Sequence, residues 1–169
     1  MNAPELQALR RLLFFSVAEA ARWIAVDADR PRGVEERTWN RWESGKAPIP
    51  INIAAAVLEL LVWHRRELAT VRQLVAARAS PDPLRLLTYP DGDDWPADRR
   101  HWRPSHSVAA HLLAEQPGAV RLVAFDPAAF HAWRRARNQV DDAATRADWA
   151  AAVGLSPQPP AGDGLPPGP

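Results

Sequence analysis

A mainly α fold, α+β overall, is predicted by three features of this 169-residue sequence. Two helix-start signals sit close together near the N-terminus, a third helical segment ends on a glycine, and a stretch from about Asn52 to Ala79 contains no helix breaker. The β-like runs are short and confined to the second half. The expected organisation is a helix-turn-helix region with a long helix over 1–80 and a small α+β domain over 81–153. A Pro/Gly-rich tail over 154–169 should be disordered, because residues 155–169 hold 6 prolines and 3 glycines and little to bury.

Each element has a local cause. Asn2 with Glu5, and Ser16 with Glu19, have the spacing of a capping box, so helices should begin near Ala3 and Val17. Leu6, Leu9 and Leu13 line one face of the first, and Val17, Ala20, Ala21 and Ile24 one face of the second. Asp27 to Gly33 is polar and carries Arg30-Pro31-Arg32-Gly33, a loop signal. A third helix follows over about Glu35 to Ser44, closed by Gly45 and kept from continuing by Pro48 and Pro50. The next helix, up to 28 residues, would extend about 42 Å. Along it Val57, Leu61, His64, Leu68, Val71 and Val75 alternate spacings of four and three, the seam either of a core-facing helix or of a dimer helix. His64 in that seam is either a satisfied, half-buried histidine or a pH-sensitive dimer contact.

After Ser80-Pro81-Asp82-Pro83 the sequence predicts a strand over Leu84 to Thr88 and a polar loop over Tyr89 to Arg100. A helix over Ser105 to Glu115, a strand over Ala119 to Phe125, and helices over Pro127 to Arg137 and Asp142 to Val153 complete the chain.

Composition narrows the function classes. With no cysteine, disulfides, thiolate metal sites and a thiol nucleophile are excluded. The N-terminus lacks a secretory pattern and no run is apolar enough for a membrane span, so a cytoplasmic protein without membrane association is expected. Net charge is +1, but residues 1–80 carry 12 basic and 9 acidic side chains against 9 and 11 in the remainder, so the front half better suits a polyanion. His101, His106 and His111 are five apart, which turns helix side chains about 140° from one another, so they are read as surface residues rather than a metal site. Asp91, Asp93 and Asp94 lack the glycine and glutamate positions of a calcium loop. No phosphate loop or nucleophile signature is present, and neither enzymatic activity nor a cofactor is predicted.

The third helix carries the functional signal. Trp39 and Trp42 can anchor it, while Arg37, Asn40, Arg41 and Ser44 fall at i, i+3, i+4 and i+7 on another face. Arg can pair bidentately with guanine and Asn with adenine, and a helix in this position of a helix-turn-helix enters the major groove. The plainer reading of that face is a solvated helix surface. Tryptophans can also stack on unpaired bases, but Trp39 and Trp42 better suit the core.

Glu5-Leu6-Gln7-Ala8-Leu9-Arg10, Val17-Ala18-Glu19-Ala20-Ala21 and the run from Trp39 through Glu43-Ser44-Gly45-Lys46 to Pro50 resemble the YdiL-like helix-turn-helix family, which includes anti-CRISPR-associated repressors. Tyr89-Pro90-Asp91-Gly92 and Trp102 with Ser107-Val108-Ala109-Ala110 are similar to the C-terminal half of that family. The resemblance covers roughly residues 3–50 and 84–115. It implies a homodimeric transcriptional repressor of double-stranded DNA, often acting on its own operon, with RNA as a further ligand of some relatives. Carried onto this chain, base reading falls to Arg37, Asn40 and Arg41 with Thr38 flanking, and backbone contact to Ser16, Ser44 and Lys46. Glu43 takes a structural role. Pairing is implied for the C-terminal half, through the seam of Val57, Leu61, His64, Leu68 and Val71 or through the strand edges. The connector from Val26 to Gly33 is longer than the family pattern, and the segment beyond about Pro117 is an addition without an inherited role. A protein-binding module such as an antitoxin is the alternative from another class.

Overall fold

The computed structural model describes residues 1–27 and 29–153; the predicted disordered tail lies outside them. The fold is mainly α with a small sheet. The order is α1 (Ala3–Leu12), α2 (Val17–Trp23), α3 (Glu36–Glu43), α4 (Ile51–Ala76), β1 (Leu84–Thr88), α5 (Trp102–Glu115), β2 (Val120–Ala124), α6 (Pro127–Ala136) and α7 (Ala143–Val153). Both predicted capping boxes form, Asn2 with Glu5 and Ser16 with Glu19, each side chain taking the other residue's backbone N–H. β1 and β2 pair in parallel from Leu84 opposite Val120 to Thr88 opposite Ala124. A parallel pair needs a crossover, which α5 supplies. No helix among the described residues is long and apolar enough to cross a membrane.

Two local starts differ from the sequence expectation. α5 begins at Trp102 rather than Ser105 because Pro104 falls in its first turn, where a missing N–H costs no helical bond. The polar loop expected over 89–100 is largely exposed but is pinned at two buried points, Tyr89 and Gly92. Tyr89 is buried, short 3-10 turns form at Gly92–Asp94 and Arg99–His101, and the Trp102 indole donates to the Tyr89 carbonyl at 2.7 Å. Gly92 is required there, since a Cβ would lie 2.6 Å from the Trp102 ring.

α4 is shared between two cores. Ile53, Val57 and Leu60 pack with Leu6, Leu13 and Trp39 of the first three helices, whereas Leu68 and Val71 pack with Val108, Leu112 and Val120. This corrects the dimer-seam expectation. Val57, His64, Leu68 and Val71 are buried by this chain's own elements, with Leu61 half-buried beside them, so the seam is the core-facing stripe of one molecule.

His64 sits where the two cores meet. The Ser107 hydroxyl donates to the Leu12 carbonyl at 2.5 Å, so it accepts from His64 Nε2 at 3.0 Å, which selects the neutral Nε2–H imidazole. The contact joins α4, α5 and the end of α1. His101, His106 and His111 are half-buried rather than free surface residues: His101 stacks on Trp63, His106 accepts from the Tyr89 N–H, and His111 donates to the Ser107 carbonyl.

Burial, and then the charges of His111 and Arg65, push His64 below the usual histidine range. Burial moves His101 and His106 the same way. The unfolded chain therefore binds more protons than the fold once pH drops below about 6.5, and stability present above that value is lost as pH falls toward the depressed folded pKa. Thermal melts from about pH 7.5 to about pH 5.5 should show a falling midpoint, with a shallower fall for His64→Gln. A midpoint that rises on acidification would contradict the buried neutral imidazole.

Candidate nucleic-acid interface

The helix α3 is mounted by its two tryptophans. Trp39 and Trp42 of α3 are buried against α1, α2 and α4 and meet edge to face at 5.6 Å. Between and beneath them lies an ion pair. Arg10 donates from Nε and Nη2 to the two oxygens of Glu43 at 2.6 and 3.0 Å, and the Trp39 indole donates to the same carboxylate at 2.6 Å. The remaining Arg10 nitrogen donates to the Phe15 carbonyl at 2.8 Å, while the Phe15 N–H donates to the Arg10 carbonyl. That pair of bonds holds the turn between α1 and α2, where Phe14 has a positive φ of 64°. Burial would raise the Glu43 carboxyl, but the Arg10 and Trp39 hydrogen bonds outweigh it and hold Glu43 below the ordinary glutamate range. Glu43 is therefore part of the mount, turned away from solvent.

The opposite face of α3 is polar and free. Arg37, Asn40, Arg41 and Ser44 are exposed and Thr38 is half-buried at their edge. Arg37 is braced by Glu35 at 2.5 Å; among the described residues, the side chains of Asn40 and Arg41 have no hydrogen-bond or ion-pair partner. Ser44 donates to the Arg41 carbonyl at 3.3 Å. Gly45 closes the helix with φ 70°, its N–H on the Trp42 carbonyl, and Ala47 returns its N–H to the Arg41 carbonyl. Lys46 stands exposed on that turn. Ser16 is exposed at the start of α2, where its oxygen accepts the Glu19 N–H at 3.1 Å. The predicted base-reading residues thus lie on α3, with Ser44 and Lys46 at its closing turn and Ser16 at the start of α2.

The long connector is a closed structure. The Asp27 carboxylate accepts the N–H groups of Asp29 and Arg30, the Arg30 guanidinium, and Asn52 at the start of α4. Its far end is tied to α2 by a Val34 N–H to Ala21 carbonyl bond of 2.9 Å. Gly33 is obligatory at φ 76°, since a Cβ there would lie 2.3 Å from that same Ala21 oxygen. These bonds tie the connector to α2 at one end and to α4 at the other, and α3 packs against α2.

The C-terminal half grips this region. Glu19 caps α2 with one oxygen, while Arg103 of α5 donates to its other oxygen at 2.8 and 2.5 Å. Burial works against the Glu19 carboxylate, but Arg103 and the Ser16 backbone lower its pKa below the usual value. Sequence reasoning missed Arg10. The available signal was its position, four residues after Leu6 and three before Leu13 on the buried stripe.

A family model described as Aca2/YdiL-like matches residues 1–120. The uncharacterized protein YdiL of Escherichia coli (strain K12) is 30% identical over 122 residues, which is 68% of this chain and 94% of that protein. The Aca2 repressor of Pectobacterium phage ZF40 is 32% identical over 120 residues, 68% of this chain and 95% of that protein. α1 to α5 lie inside the matched region, and α6 and α7 lie outside it.

Replacing Glu43 with Ala leaves Arg10 charged and buried without its carboxylate, a loss that typically costs about 3–5 kcal/mol. Urea unfolding should show that loss, and the double replacement Arg10→Met with Glu43→Leu should recover much of it. A cost under about 1 kcal/mol for Glu43→Ala would show that the pair is not what secures α3.

Proposed function

Because the chain belongs to the Aca2/YdiL-like family, we propose that it is a transcriptional repressor whose homodimer binds double-stranded DNA at an inverted repeat, with α3 in the major groove. The observation that carries this reading is the exposed Arg37, Asn40 and Arg41 face on a helix whose other face is locked by Trp39, Trp42 and Glu43. Rigid presentation matters because side chains must meet base edges within hydrogen-bonding distance, and a loosely held helix would lose that register. Arg37 and Arg41 suit guanine, Asn40 suits adenine, and Thr38 adds an apolar methyl. Lys46, Ser16 and Ser44 supply phosphate contacts, which orient the protein without reading sequence.

A dimer doubles the base contacts of a single eight-residue helix. With the core-facing stripe of α4 already covered, we assign pairing to its outward face. Ile51, Leu58 and Val62 repeat there at spacings of seven and four and are 88%, 48% and 66% exposed. Spacing of this kind lets two copies of α4 pack along one another, and the exposed aliphatic area favours it. Recognition helices so paired would reach half-sites about 34–36 Å apart or a multiple of that distance.

Selection from a random duplex library yields a preferred site for titration beside a scrambled duplex. Arg41→Ala should lose about 1–3 kcal/mol on the selected site and much less on the scrambled one, whereas Lys46→Ala should weaken both alike. Equal losses on both duplexes for Arg41→Ala would contradict base reading. Light scattering should give a dimer for the full chain and a monomer for Val62→Glu. A dimer that survives Val62→Glu would move the interface off α4.

A further inference from the structure

Beside the start of α3 lies a basic concavity formed by both halves of the chain. It has a volume of about 560 Å³ and is lined by Arg22 and Trp23 of α2, Pro31 and Arg32 of the connector, and Arg99 from the turn before α5. It adjoins a second concavity that shares Trp23, Val26, Pro31 and Arg99 and adds Asp98 and Arg100. Val34, two residues before the first turn of α3, is part of the wall. The Trp23 ring is packed by two guanidinium groups, Arg22 at 4.5 Å and Arg99 at 5.2 Å from its centroid. Arg99 pairs with Asp93 and Arg100 with Asp98, both at 2.7 Å. Among the described residues, Arg22 and Arg32 have no acidic partner within ion-pair distance. Four arginines therefore converge with two carboxylates between them.

Like charges gathered this way repel, and an anion relieves the repulsion. The Trp23 face offsets part of it through its ring quadrupole and holds the guanidinium groups in place. The position of the concavity selects the anion. A recognition helix meets base edges through its N-terminal residues, so the rims of the major groove pass closest to that end. The first turn of α3 itself presents Glu35 and Glu36, which phosphates repel. The arginines beside it reverse the local sign.

We propose that this concavity is a phosphate-binding site for the DNA backbone flanking the recognition helix, in which the C-terminal half, through Arg99 and Arg100, contacts DNA directly. The proposal rests on the DNA-binding reading above and adds a contact that the helix-turn-helix alone does not contain. Arg22 and Arg32 are the principal phosphate ligands because their charge is not spent on a carboxylate. Arg99 contributes from across Trp23.

The test is the salt dependence of the full chain's affinity, measured for the unaltered protein, Arg32→Gln, Arg99→Gln and the double variant on the selected and scrambled duplexes. Each single replacement should lower the slope of log K against log salt by about 0.9, the double variant by about twice that. Both duplexes should weaken by the same factor, leaving their ratio unchanged. Slopes in the double variant equal to those of the unaltered protein overturn the proposal, as does a changed ratio between the duplexes. Should Arg99→Gln lower the melting temperature, Arg32→Gln decides the result, since its side chain is exposed on the connector. If the unaltered chain binds both duplexes equally, the repressor reading fails while the slope on the scrambled duplex still decides the concavity. Binding to neither duplex overturns both. Saturable binding of inorganic phosphate that Arg32→Gln abolishes, with unchanged duplex slopes, would assign the concavity to a free anion and overturn it as a DNA contact.

Discussion

The bidentate pair between Arg10 and Glu43 is the contact on which the placement of α3 depends. α3 has eight residues, too few to be helical alone in water, so its existence and its angle come from what it is packed on. Arg10 reaches three elements from one side chain: the end of α1, the turn at Phe15 and the carboxylate of α3. Desolvating two charges is expensive, and geometry this complete is what offsets it: three donors meet the two carboxylate oxygens, and the third nitrogen of the guanidinium finds a carbonyl. The same arrangement removes a negative charge from a surface that would face phosphate.

α4 then links the mount to the rest of the molecule. Its first half closes the core under α3 and its second half carries α5, which is also tied to α2 through Arg103 and Glu19 and to α1 through Ser107 and Leu12. The buried His64 and Ser107 satisfy one another at this junction, where an unpaired polar group would be costly. Beyond the region shared with the family, β2 covers one edge of β1, which would otherwise offer an open ladder. α6 and α7 close an aromatic cluster of Tyr89, Phe125, Phe130 and Trp149 around Arg146, which is anchored by Asp141 and the Asp94 carbonyl. The hydrogen bonds that Arg146 donates to the Asp141 carboxylate outweigh burial and raise the Arg146 pKa, so the guanidinium stays charged among the rings.

Much of this was legible where local chemistry decides structure. The Asn2 and Ser16 capping boxes, the Gly45 stop and the β1 limits are written in short-range pattern, and the polar face of α3 follows from spacing. What the pattern could not state is what covers an apolar stripe. Val57, Leu68 and Val71 have the same spacing whether a second copy or α1 and α5 lies against them, and here it is the chain itself. The burial of Arg10 was equally hidden, because its partner lies 33 residues away and becomes a neighbour once α3 folds back. The basic concavity draws on residues as far apart as Arg22 and Arg99, and periodicity carries no information about such a meeting.

If α3 places Arg41 against a base edge, as proposed, methylation interference reads that contact atom by atom. On the selected duplex, methylation of guanine N7 should block binding of the unaltered chain at one symmetry-related guanine in each half-site. In the Arg41→Ala protein those two positions should lose their effect while the rest of the pattern stays. An interference pattern identical in the two proteins would contradict the assignment of Arg41 as a base-reading residue.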